Sequence, residues 1–132
     1  MTETNTLIYE QSETDISQKL KELLETREQF RYWLLSFDPD EQIGMSGSCS
    51  QCPLAQFLKS NGLPDLHVFP SGVAQERSSA YFLLFDFNLN KDANKLDWAS
   101  TFVWSLDDRY RNGQLVSAEN ALKVLSHLEY HE

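Results

Sequence analysis

Ala80-Tyr81-Phe82-Leu83-Leu84-Phe85-Asp86-Phe87 is the stretch whose reading decides the fold. Its aromatic, near-continuous apolar character fits a strand, and a strand without polar alternation is expected to be buried on both faces. Tyr81 to Phe85 is therefore expected as a buried strand. Leu66-His67-Val68-Phe69 reads as a second, brief strand. The two can pair as a hairpin across a long polar connection at 71–79.

On either side of this β-element the apolar spacing is helical. Asp15 with Gln18 resembles a capping box, and Ile16, Leu20, Leu23 and Leu24 then fall on one helix face. Thr26 with Gln29 repeats the start signal ahead of Phe30, Trp33, Leu34 and Phe37. The segment 15–36 is thus one bent helix or two. Asp38-Pro39-Asp40 ends it, since a residue before proline avoids helical geometry. Residues 38–52 read as a long loop, and Pro53 opens a short helix over 53–60 that stops at Asn61-Gly62. After an Asn/Asp/Lys-rich loop from Asn88 to Asn94, a helix over 96–108 carries Trp98, Phe102, Val103 and Leu106. Ser117 caps a last helix over 117–128 with an Ala118, Ala121, Leu122, Leu125, Leu128 stripe. The expected fold is α+β: four or five helices packed around a small β-hairpin or short sheet. It forms a single compact domain over 14–132, behind a polar, loosely ordered N-terminus at 1–13.

Composition narrows the class. Apolar residues make up 41% and aromatics 12% of 132 residues, a globular balance. No apolar run approaches the roughly 18–20 residues that span a bilayer, so no membrane partner is expected. The opening Met-Thr-Glu-Thr-Asn-Thr lacks a secretory signal, and two cysteines make no disulfide framework, which fits a cytoplasmic setting. Net charge is −9, with ten acids against four bases in residues 1–41. No direct nucleic-acid binding is expected, because it rests on Lys and Arg neutralising phosphates. Such an excess keeps a protein soluble, docks it onto a basic partner, or imitates a phosphate backbone.

Cys49 and Cys52 are the only cysteines, and Pro53 follows directly. Both thiols are placed at a helix N-terminus, a setting that permits redox chemistry or metal binding. The strand that precedes a thioredoxin-type pair is missing. A structural zinc site needs four ligands, and His127 and His131 are the residues that could complete Cys49 and Cys52. Yet 74 residues separate Cys52 from His127, where a zinc finger has about a dozen. No metal or cofactor is therefore expected, and the cysteines are read as packing a helix start, Cys52 more deeply than Cys49. Two loops imitate an EF-hand pattern: Asp108, Asn112, Gly113, Leu115 and Glu119, and Asp86, Asn88, Asn90, Asp92 and Asp97. Tyr110 and Lys91 stand where a ligand and the turn glycine belong, so both read as ordinary loops. His67 could act as a base for either cysteine, although no spacing brings them together, and no catalytic residue is assigned. Trp104 falls off its helix stripe and, with Tyr110 nearby, is the candidate interface anchor.

The blocks Phe30 to Leu34, Cys52 to Leu58 (Cys-Pro-Leu-Ala-x-Phe-Leu), Trp98 to Val103 and Val116 to Leu122 (Val-Ser-Ala-x-x-Ala-Leu) resemble small bacterial proteins of unassigned function. The resemblance implies a bacterial origin and one compact domain, and no activity. The expected function is protein–protein interaction, as an adaptor or regulator without catalysis and with an unknown protein partner. The alternatives are a thiol-redox or metal-binding protein using the two cysteines, and an acidic inhibitor mimicking nucleic acid.

Overall fold

The computed structural model describes residues 13–87 and 98–128. Residues 1–12, 88–97 and 129–132 lie outside that range, and with them most of the second EF-hand-like pattern and His131. The described chain has five helices and two small antiparallel sheets, an α+β fold. The order is α1 (Glu13–Leu24), α2 (Glu28–Leu35), β1 (Gln42–Met45), α3 (Pro53–Ser60), β2 (His67–Phe69), β3 (Gly72–Arg77), β4 (Ala80–Asp86), α4 (Trp98–Arg109), β5 (Leu115–Ser117) and α5 (Ala118–His127).

The first helical stretch is two helices rather than one bent one. The chain breaks at 25–27, and the Thr26 hydroxyl accepts from the Glu28 amide at 3.4 Å as the second helix begins. Ile16, Leu20, Leu23 and Leu24 are buried, as are Phe30 and Leu34. Phe30 is the centre of the core. Its ring meets Phe57 of α3 at 5.3 Å and Trp98 and Phe102 of α4 at 5.7 and 5.0 Å. The Trp98 indole N–H donates to the Leu24 carbonyl at 2.9 Å, tying the start of α4 to the end of α1. Ser117 caps α5 by accepting from the Asn120 amide.

The β-structure is larger than the sequence pattern indicates. The stretch 71–79 is not a loop: β3 is the central strand of a β2-β3-β4 sheet. Two more short strands, β1 inside the expected 38–52 loop and β5 before the last helix, pair antiparallel with Gly44 opposite Val116. A Cβ at Gly44 would sit 2.5 Å from the Pro53 nitrogen, so glycine lets β1 run against the start of α3.

The deciding stretch is a strand, but it is not buried on both faces. Among the described residues it is an edge strand; Tyr81, Phe82 and Leu83 are 54%, 46% and 52% exposed, while Phe85 and Phe87 are buried. A two-residue turn, Ser78 (φ 50°) and Ser79 (φ 67°), joins it to β3. Two left-handed residues give the turn the twist of a tight hairpin, at about 1–2 kcal/mol each for a residue with a Cβ. A bulge between Val73 and Ala74 lets the strand bend, and the Ser17 hydroxyl of α1 donates to the Leu84 carbonyl there at 2.7 Å.

Candidate functional site

Cys49 and Cys52 share a turn and have opposite surroundings. The Cys52 amide donates to the Ser48 carbonyl, and the Gln51 amide to the Ser48 hydroxyl, so the chain folds back just before α3. Cys52 becomes the N-cap of α3, its sulfur accepting from the Ala55 amide at 3.4 Å. It is 5% exposed. Burial pushes its thiol up from 9.0 to about 12, outweighing the helix amides that pull it down. Cys52 is a packed, neutral cap.

Cys49 is half-buried and turned the other way. Its carbonyl accepts from the Val68 amide at 2.7 Å, which fastens the turn along the outer side of β2, one residue past His67. The Cys49 sulfur then lies 3.1 Å from His67 Nδ1. The other ring nitrogen, Nε2, is 3.6 Å from a Glu76 carboxylate oxygen on β3, an ion-pair rather than a hydrogen-bond distance. In the tautomer protonated at Nε2, Nδ1 accepts from the Cys49 thiol. Tyr81 meets the imidazole edge-on at 4.9 Å and Phe69 flanks it at 6.4 Å, fixing the ring plane. Ser50, Gln51, Lys59, Asp65, His67 and Glu76 line a cleft of about 380 Å³ beside it. The Lys59 ammonium and Asp65 pair across that cleft at 3.1 Å.

Of the four metal candidates, Cys49 meets His67 and not His127, which ends α5, while Cys52 is sealed in the core. Thiol and carboxylate address opposite nitrogens of one imidazole, so one ion cannot take all three. Among the described residues no group of three or more His, Cys, Asp or Glu is placed to hold a metal ion. The EF-hand-like segment from Asp108 to Glu119 is split between the end of α4, a tight turn, β5 and the start of α5, and the Gly113 amide is spent on the Ser46 carbonyl. Trp104 is 63% exposed, whereas Tyr110 is half-buried against the core. A larger apolar groove of about 520 Å³, between Trp33, Phe37, Ile43, Met45 and Leu115, holds no titratable cluster.

Glu76 and the edge of β4 are functional candidates that the sequence reading missed. The signal was present in Phe69-Pro70-Ser71-Gly72, where proline and glycine sit at the second and fourth positions of a β-turn. A strand after that turn, paired back on 67–69, would have put β3 next to His67. No helix among the described residues is long and apolar enough to cross a membrane. The chain matches no protein-family model, and no curated protein or solved structure shows significant similarity to it.

Proposed function

We propose that this protein is a cytoplasmic adaptor or regulator that captures an extended segment of a partner protein by strand addition to β4. The observation that carries the reading is the exposure of Tyr81, Phe82 and Leu83, consecutive apolar residues on an edge strand. Antiparallel alternation, with Arg77 opposite Ala80 across the two-residue turn, points the main-chain groups of Tyr81 and Leu83 away from β3. An open apolar edge is a template for another strand, and proteins ordinarily blunt it with charge or proline. Residues 80–85 carry neither, and among the described residues no strand pairs with this edge, which α1 reaches at Leu84 through Ser17. Main-chain hydrogen bonds supply affinity in such complexes, and alternate side-chain contacts supply choice of partner. With a net charge of −9, the fitting segment is apolar with basic flanks, and an acidic one is repelled.

The test uses the full chain as bait in three forms: wild type, Leu83→Pro and Trp104→Ala. Proline is tolerated at an edge position whose N–H faces outward, so Leu83→Pro blocks strand addition while keeping the β3–β4 ladder. A partner held by the wild type is expected to stay on Trp104→Ala. It should weaken at least about tenfold, or about 1.4 kcal/mol, on Leu83→Pro. Retention by Leu83→Pro with loss from Trp104→Ala would put the interface on α4 instead.

A further inference from the structure

The two cysteines do not form a working dithiol, because Cys52 is buried as the cap of α3. What the fold assembles is a single thiol with a base and a carboxylate, drawn from a turn and two strands. Two observations converge on it. The sulfur sits 3.1 Å from His67 Nδ1, within reach of proton transfer. The Glu76 carboxylate lies 3.6 Å from the far nitrogen, so the ring is held between the thiol and the carboxylate.

We propose that Cys49 is a peroxide-reactive thiol, with His67 as its proton acceptor and Glu76 as the residue that positions the imidazole. Its half-burial, and the polar cleft lined by its neighbours Ser50 and His67, fit a compact polar electrophile, and a hydroperoxide is that class. The proposal is independent of strand addition at β4. The thiol proton passes to His67 Nδ1, and the sulfur attacks the distal oxygen of the hydroperoxide. The S–O bond forms as the O–O bond breaks, sulfur loses two electrons, and the leaving oxygen takes the proton from His67 to depart as water or alcohol. Cys49 is left as a sulfenic acid. Cys52 is too deeply buried to condense with it, so an external small thiol must do so. The first equivalent gives a mixed disulfide and water, and a second releases Cys49 with the external disulfide.

The experiment treats the full chain with hydrogen peroxide, traps sulfenic acid with dimedone and maps the label by mass spectrometry. Wild type, Cys49→Ser, Cys52→Ser, His67→Gln, Glu76→Gln and Glu76→Asp chains are compared. Label is expected on Cys49 in the wild type and in Cys52→Ser, and at least about a tenfold slower rate in His67→Gln, the lower side of what a positioned base contributes. Glu76 is half-exposed, so Glu76→Gln tests the site without emptying the core. Its labelling rate should fall, and Glu76→Asp, which keeps a carboxylate at that position, should restore most of it. Label on Cys52, no label, or wild-type rates in both His67→Gln and Glu76→Gln would overturn the proposal. If His67→Gln fails to fold, Glu76→Gln decides alone: a slowed rate supports it and an unchanged rate overturns it.

Discussion

Phe30→Ala is expected to cost about 3–5 kcal/mol of folding stability, the range for emptying a buried phenylalanine site. Phe30 is fully buried, and its ring touches aromatics from three helices: Trp33 of its own helix, Phe57 of α3, and Trp98 and Phe102 of α4. Those rings are large and mutually braced, so they cannot close over the void, which places the cost toward the upper end. A domain of this size is stable by only about 5–15 kcal/mol, so the variant should unfold at a far lower urea concentration. The contrast is Phe82→Ala, at the exposed edge, where the change should stay within about 0.5 kcal/mol. Equal shifts in the two variants would mean that the helices do not converge on Phe30.

The second large effect is on pH dependence. Cys52 is neutral in the fold until about pH 12, while in the unfolded chain it ionises near 9. Its folded value is raised, so its contribution to stability is complete below pH 9 and is lost as pH climbs from 9 towards 12. Over that window the loss approaches about 1.4 kcal/mol per pH unit for one group. Lysines and tyrosines titrate in the same range, so the informative quantity is the difference between wild type and Cys52→Ala. At pH 8 the variant should be the less stable, through the lost cap and the cavity. By pH 10.5 the gap should have narrowed by about 2 kcal/mol, since the alanine chain has no thiol to ionise. Parallel loss of stability in both chains would show that Cys52 is reached by water.

How much of this was legible in the sequence depends on what each residue packs against. The helix faces were readable because Ile16, Leu20, Leu23, Phe102 and Leu125 repeat at a period only a helix satisfies, and burial followed the stripe. The caps at Cys52 and Ser117 could be placed for the same local reason, whereas the helix expected to be capped by Thr26 opens on Arg27 with no side-chain cap. Strands β1, β3 and β5 were not readable. Gln-Ile-Gly-Met and Leu-Val-Ser are too short for alternation to stand out, and each exists only through the other, across about seventy residues of chain. In β4 the apolar run itself misled. A strand apolar on both faces looks buried on both faces, and only its place at the edge of the sheet leaves Tyr81, Phe82 and Leu83 in water. The thiol site was half visible. Cys49 and His67 are chemically suggestive types, but their meeting depends on the Cys49 carbonyl binding the Val68 amide, a long-range contact that no spacing encodes.

The claim on which the functional account rests is that the outer edge of β4 is open in the free protein, and amide hydrogen exchange read residue by residue by NMR addresses it directly. The Phe82 amide pairs with Gln75 and should exchange slowly, whereas those of Tyr81 and Leu83 face outward and should exchange close to the rate of an unstructured chain. A slow–fast alternation along 80–83 is the predicted result. Slow exchange at Tyr81 and Leu83 as well as at Phe82 would mean that the chain already covers this edge itself, and would contradict strand addition at β4.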